Sequence, residues 1–175
     1  MSVILYICSI LLANVITAAV PPIHLGLMIV PTGSFLIGLT FVFRDLVQMQ
    51  YGRKTAYLVI FSALVLSTGF SFFVDEVLMI VIASACAFLL SETADTEIYT
   101  RLRLPVHLRV LWSGIFGGIL DSSVFVILGL SPIGVGFLTW AMVPYAIAGQ
   151  ILVKTLMQFA GMAVLKRYIY NRPMS

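Results

Sequence analysis

Residues 77–101 read VLMIVIASACAFLLSETADTEIYTR and have the pattern of a helix that crosses a membrane. The part from 77 to 90 carries no charged residue, and the first carboxylate is that of Glu92. A helix needs about 20 predominantly apolar residues to cross the hydrocarbon core of a bilayer. This stretch therefore predicts a transmembrane span over residues 77–96, with acidic side chains near one end of it.

Five other long apolar runs flank this one, and short breaks rich in proline, glycine or acidic residues separate them. They predict an all-α, polytopic membrane protein with six transmembrane helices, forming one domain over residues 1–175. Pro144 lies inside the last run, which is long for one span, so we expect that helix to be kinked or to begin as a re-entrant segment. The six spans are predicted at 3–20, 30–49, 55–74, 77–96, 109–130 and 138–165.

The composition of the chain agrees with this class and excludes several others. Hydrophobic residues make up 61% of the sequence and charged residues only 10%, whereas a soluble domain has about 25% charged residues. An ordinary soluble enzyme, a disordered chain and a nucleic-acid-binding module are therefore excluded, and the net charge of +3 is too small for a nucleic-acid partner. Cys8 and Cys86 predict buried, inert packing, and no Cys/His cluster has zinc spacing, so we expect no metal and no cofactor.

Basic residues predict the orientation, because Lys and Arg near helix ends stay on the cytoplasmic side. Eight of the ten lie after the second span, after the fourth span and in the C-terminal tail, and the other loops have none. Both termini are therefore expected in the cytoplasm, with the chain in a cell membrane. Residues 3–20 could instead be a cleaved signal peptide, although no basic segment precedes them. The eight residues are Arg53, Lys54, Arg101, Arg103, Arg109, Lys166, Arg167 and Arg172.

Strongly polar side chains inside the predicted spans are the candidate functional residues, because a charge within the bilayer is costly and needs a reason. On the second, fourth and sixth spans, pairs of them three or four residues apart share one helix face. We expect these faces to converge inside the bundle, where they suit a small polar solute or a proton relay equally well. The predicted substrate-binding residues are Asn14, Asp45, Gln48, Glu92, Asp95, Asp121, Gln150 and Lys154.

Structural roles remain open for several charged and polar residues. Arg44 is expected either to form a charge pair or to extend to the lipid headgroups. Asp121 and Lys154 could form an ion pair that only fixes helix packing, and Asn14 could merely join two helices. Asp45 and Asp121 each lie on the second helix of one half of the chain, which is compatible with a 3+3 inverted repeat.

Four segments carry recognisable motifs: residues 31–53 with FRDLVQ at 43–48, ETADTEIYTRLR at 92–103, FGGILDS at 116–122, and residues 150–167. In this order they resemble the queuosine-precursor transporter family, also called the vitamin-uptake-transporter-like family, in its compact form. Asn14 matches an asparagine in the first helix of that family. The resemblance spans nearly the whole chain.

The resemblance implies an importer of a queuosine precursor, 7-cyano-7-deazaguanine or its aminomethyl relative. Four charged residues agree with the family pattern: Asp45, Asp95, Asp121 and Lys154. Three positions depart from it and leave the exact substrate open: Glu92, where glutamine is common, Gly118, where asparagine is common, and Gln150, where aspartate is common.

The chemistry of a deazaguanine is compatible with these side chains. Its ring N–H and exocyclic amine are donors, and its carbonyl is an acceptor. In this interpretation Asp121 or Asp45 accepts from the two donors, Asn14 supports the base, and Lys154 holds a neighbouring carboxylate ionised. The aromatic candidates for stacking on the ring are Phe41, Phe43, Trp112 and Phe116.

Two other functions remain open. The chain could be the substrate-binding subunit of an energy-coupling-factor vitamin transporter, which needs a partner ATPase module, or a small membrane scaffold, which binds no ligand. We expect no enzyme and no catalytic residue, because the sequence offers no nucleophile, metal set or cofactor motif. The expected partners are a small-molecule substrate and the lipid bilayer, without nucleic acid, and either a homo-oligomer or a partner ATPase module.

Overall fold

The computed structural model describes residues 1–26, 28–73 and 76–171, with side chains as far as residue 164. Five helices of this part have the length and apolar composition needed to cross a membrane. A short hairpin and one π-helical turn accompany them. The elements are α1 (Ser2–Ala19), β1 (Ile23–Leu25), β2 (Met28–Val30), α2 (Ser34–Phe73), α3 (Leu78–Arg101), α4 (Val106–Phe125) with the π-helical turn Val126–Leu130, and α5 (Val143–Asn171).

Helix α2 has 40 residues and contains the second and third predicted spans. Its backbone leaves the helical region at Gly52, where φ is 82° and ψ is 171°, a conformation that glycine adopts because it has no Cβ. Val47 and Ala63, on either side of Gly52, pack in one core cluster with Tyr6 of α1. A straight helix would hold Val47 and Ala63 about 24 Å apart. The chain therefore folds back at Gly52, and α2 consists of two halves packed side by side.

The helical fold agrees with the all-α prediction, and a small antiparallel hairpin of two three-residue strands lies between α1 and α2. Pro21 and Pro22 follow α1 and lack the backbone N–H that a continuing helix needs. Gly26, with φ of 64°, allows the turn between the strands. As a result α2 begins at Ser34, four residues later than the predicted second span.

The last predicted span also begins later than expected. Residues 131–142 form turns and irregular backbone, and α5 begins at Val143. Pro144 thus lies in the first helical turn, where its missing N–H removes no intrahelical hydrogen bond. The kink expected at Pro144 is therefore wrong. The side chains of Lys166 and Arg167 and all of Arg172, on which the orientation partly depends, lie outside the described part of the chain.

The outer surface of the helices is apolar. Phe73, Leu58 and Phe61 are 90%, 69% and 64% exposed, which is the distribution expected of side chains that contact lipid rather than water. Cys8 and Cys86 are free thiols on this surface. The prediction that these two cysteines are buried is therefore wrong.

Helices α2 and α5 approach closely at Gly38. A Cβ atom on Gly38 would lie 2.6 Å from the carbonyl oxygen of Lys154 and 2.7 Å from Cβ of Met157. Small residues allow such contacts between membrane helices. The contact matters for function because it fixes the height and rotation of the α5 turn that carries Lys154.

We expect Gly38→Ala to destabilise the protein by about 1–3 kcal/mol, because backbone atoms of α5 cannot move aside as a flexible side chain could. Gly69→Ala is the matched control on the same helix, where a Cβ would meet no atom within 4 Å. That control should be neutral or stabilising by up to about 1 kcal/mol, since alanine is the better helix former. Thermal unfolding of both purified variants tests this, and equal melting temperatures would contradict the close contact.

Candidate functional site

The predicted site residues lie in the interior of the helix bundle. Seven of the eight are buried, with exposed fractions of 8% or less, and Asn14 is half-buried. The helical surface around them is apolar, so the polar faces of α2, α3, α4 and α5 meet inside the bundle. The structure divides these residues into two neighbouring clusters.

The first cluster surrounds Arg44, which is fully buried. Its Nη1 lies 3.2 Å from Oδ1 of Asp45, and its Nε lies 3.2 Å from Oε2 of Glu92. Its Nη2 contacts the carboxylate of Asp95. Arg44 therefore forms charge pairs inside the protein, and the alternative in which it extends to the headgroups is wrong.

Hydrogen bonds extend this cluster between α2 and α3. Nη1 of Arg44 donates to Oε1 of Gln48 over 3.0 Å and to Oγ1 of Thr96 over 3.1 Å. Nε2 of Gln48 in turn donates to the Thr100 hydroxyl over 2.9 Å. The planar guanidinium can direct several donors at once, which suits a residue that joins two helices through five polar partners.

The second cluster surrounds Lys154 of α5. Its ammonium donates to Oδ2 of Asp121 over 2.5 Å, to the Ser122 hydroxyl over 3.0 Å and to Oε1 of Gln150 over 3.1 Å. The predicted Asp121–Lys154 pair is thus formed. The amide nitrogen of Gln150 is buried and has no hydrogen-bond partner among the described residues. A buried donor without a partner is costly, so this nitrogen is available to an acceptor on a ligand.

A polar cavity lies between α1, both halves of α2, α3 and the Lys154 cluster. The centre of a water molecule can occupy about 70 Å³ of it, several times the 10–15 Å³ needed for one water. Phe41 and Phe125 contribute aromatic faces to its wall. The predicted site residues that line it are Asn14, Glu92, Asp121, Gln150 and Lys154.

The other predicted residues lie behind the cavity wall. Asp45, Gln48 and Asp95 are not among the described residues that line it. Of the four aromatic candidates for stacking, Phe41 reaches the cavity, whereas Trp112 and Phe116 are 46% and 50% exposed on the outer surface. How far each helix is rotated about its axis decides which of these residues reach the cavity. Residues one turn apart on one helix face can therefore lie at different distances from it.

Sequence reasoning missed the hydroxyl groups of the cavity. Two features of the sequence could have identified them. Ser67 and Ser71 lie one helical turn apart, and several hydroxyl-bearing residues occur in one span. The Ser67 hydroxyl accepts a hydrogen bond of 2.6 Å from the amide of Asn14, which joins α1 to the second half of α2 at the wall. The hydroxyl-bearing residues that line the cavity are Thr17, Ser34, Thr40, Ser67, Thr68, Ser71, Ser84 and Ser91.

A larger and more apolar cavity adjoins the polar one. The centre of a water molecule can occupy about 390 Å³ of it. Both cavities share Thr17, Pro31, Glu76 and Phe125, which lie at the end of the bundle away from the basic loops. We call this larger cavity the vestibule, because it shares part of its wall with the polar cavity at that end.

Comparison with known proteins gives one match. A family model described as "Putative vitamin uptake transporter" matches residues 68–167, which is more than half of the chain. The match runs from the second half of α2 into α5 and includes Glu92, Asp95, Asp121 and Lys154. Neither a curated protein nor a solved structure matched.

Proposed function

Because the chain belongs to the vitamin uptake transporter family, we propose that it is a membrane importer of a small polar heterocycle, specifically a queuosine precursor. The precursors meant are 7-cyano-7-deazaguanine and its aminomethyl relative. The observation that supports this proposal is the polar cavity, which has carboxylate, ammonium and amide groups and an aromatic wall inside an apolar bundle. Ligand sites of transporters lie at such places, near the middle of the bilayer.

The groups on the cavity wall complement a guanine-like edge. The Asp121 carboxylate accepts from the ring N–H and the exocyclic amine, and Lys154 pairs with this carboxylate. The unpartnered amide nitrogen of Gln150 donates to the carbonyl of the base. Phe41 stacks on the ring, and Asn14 closes the site from α1. Asp45 has no part in this arrangement, because it lies behind the wall.

The proposed architecture is one domain with six spans, in which the two halves of α2 cross the membrane separately. The basic residues favour a topology with both chain termini in the cytoplasm. In a bacterial inner membrane, the vestibule of such a protein opens to the outside. The structure then corresponds to an outward-facing state. A solute enters through the apolar vestibule and binds in the polar cavity.

A complementation assay tests the function. Cells that lack both queuosine-precursor synthesis and their own importer are given this chain and nanomolar precursor, and queuosine in tRNA is measured. We expect queuosine to be restored. If it is not, although the protein is in the membrane and the purified protein is not stabilised by the precursor against heat, the proposed substrate is wrong. Stabilisation without uptake would instead indicate a missing partner, as for an energy-coupling-factor subunit.

Single substitutions on the wall test the site itself. Gln150→Leu removes the unpartnered donor while keeping a similar volume, and one neutral hydrogen bond contributes about 0.5–1.5 kcal/mol, so precursor affinity should fall about two- to tenfold. Asp121→Asn and Asn14→Ala should lower uptake as well. Ser62→Ala, on the exposed face of α2, is the control and should behave as the wild type. Normal affinity in Gln150→Leu together with normal uptake in the other two would contradict this site.

A further inference from the structure

Glu92 is the one described residue that belongs to both the cavity wall and the Arg44 cluster. It lines the polar cavity, and its Oε2 lies 3.2 Å from Nε of Arg44. Asp45 and Asp95 contact the same guanidinium from behind the wall. Glu92 is therefore the point where a ligand or proton in the cavity meets the charge pairs that join α2 and α3.

The charges buried here do not balance. Among residues 1–26, 28–73 and 76–164, the buried cations are Arg44 and Lys154, and the buried carboxylates are those of Asp45, Glu92, Asp95 and Asp121. With every group ionised, these six buried groups have a net charge of −2, and half-buried Arg109, which faces Asp45, offsets at most one of the two. Since an uncompensated charge in the bilayer is costly, a proton or another cation has to accompany this cluster.

Other titratable and charged groups face these carboxylates from the neighbouring helices. From α4, Asp121 faces Glu92 and Arg109 faces Asp45. Arg109 is half-buried, and its Nε donates to the carbonyl of Tyr99 over 2.9 Å. From α5, Lys154 is already held by Asp121. Arg109 and Lys154 thus have other partners, and Arg44 is the cation that pairs directly with Glu92.

A second observation is a buried hydroxyl group beside Glu92. The hydroxyl of Tyr6, on α1, is fully buried and faces Glu92, yet it makes no hydrogen bond with any described residue. Oδ1 of Asp95 also has no hydrogen-bond partner there. The Tyr6 hydroxyl can donate to the ionised Glu92 carboxylate and can accept from its protonated form, so it can serve Glu92 in both states of a transport cycle.

We propose that Glu92 is the proton-binding site that couples uptake of the substrate to the proton gradient. This inference depends on the proposed function and adds its driving force. A proton from water in the vestibule and cavity is added to the Glu92 carboxylate and weakens its pairing with Arg44, which loosens the α2–α3 contact on the cytoplasmic side. After the substrate has left, the same proton passes to cytoplasmic water, and the ionised Glu92 pairs with Arg44 again.

Proteoliposomes that contain a pH-sensitive dye test the proposal. With an acidic outside, addition of 7-cyano-7-deazaguanine should acidify the lumen, and a protonophore should abolish accumulation. If one proton accompanies one uncharged substrate, a gradient of one pH unit should support about tenfold accumulation. Glu92→Gln should lose the substrate-evoked acidification. Glu97→Gln, on the same helix but paired with Arg53 and Arg101 outside the cavity, should retain it.

The outcomes separate the two proposals. Uptake in the wild type without acidification and without response to the pH gradient would overturn proton coupling and leave the importer standing. Acidification by Glu92→Gln at the wild-type level would overturn the assignment to Glu92. If the wild type neither transports nor is stabilised by the precursor, the proposed function fails and the coupling fails with it. Should Glu92→Gln not fold, the wild-type experiment still decides whether protons accompany the substrate.

Discussion

Replacing Arg44 with glutamine is expected to remove most of the folded protein from the membrane. Three buried carboxylates, those of Asp45, Glu92 and Asp95, would then lack their shared cation. Breaking a buried ion pair by removing one partner costs about 3–5 kcal/mol, whereas a whole domain is stable by only about 5–15 kcal/mol. The amount of detergent-soluble folded protein and its melting temperature measure the effect.

Arg53→Gln is the matched control for Arg44. Arg53 also pairs with a carboxylate of α3, that of Glu97, but their side chains are 49% and 24% exposed, and exposed pairs contribute about 0.2–1 kcal/mol. Arg44→Lys should rescue only part of the loss, because an ammonium cannot present the fork of donors that reaches three carboxylates. If Arg44→Gln melts at the same temperature as Arg53→Gln, the Arg44 cluster does not stabilise the fold.

Replacing Lys154 with methionine is expected to abolish uptake and to destabilise the protein by about 3–5 kcal/mol, because the Asp121 carboxylate is left without its cation. The double variant Asp121→Asn/Lys154→Met has no charge left at this pair. It should recover most of the stability, since replacing a buried pair with neutral groups is often nearly neutral. It should not recover uptake, because the charged edge that faces the cavity is gone.

The double variant thus decides between the two roles of the Asp121–Lys154 pair. Thermal melting reports stability, and the tRNA assay reports uptake, so the two properties are measured independently. Wild-type uptake by Asp121→Asn/Lys154→Met would show that the pair only fixes helix packing. If the double variant recovers neither stability nor uptake, neutral groups cannot replace the pair even in its structural role.

Predictions from the sequence succeeded where a local property is sufficient. Apolar runs located the membrane-length helices to within a few residues in most cases, because any helix in lipid must be long and apolar and must satisfy its own backbone hydrogen bonds. The pair of Asp121 and Lys154 was also anticipated, since isolated opposite charges inside neighbouring spans are stabilised by each other. The hairpin at residues 23–30 was missed, because three-residue strands leave too short a pattern to be recognised.

The amino-acid order alone was enough to specify a helical membrane protein with inward polar faces, because the cost of polar groups in lipid acts on each residue wherever its neighbours are. It could not specify that Glu92, Asp121, Gln150 and Lys154 reach the cavity while Asp45 and Asp95 stay behind Arg44. That division depends on how far each helix is rotated and on which helix lies beside it. Contacts between residues far apart in the chain, such as Gly38 against Lys154, set those rotations, so they exist only in the folded protein.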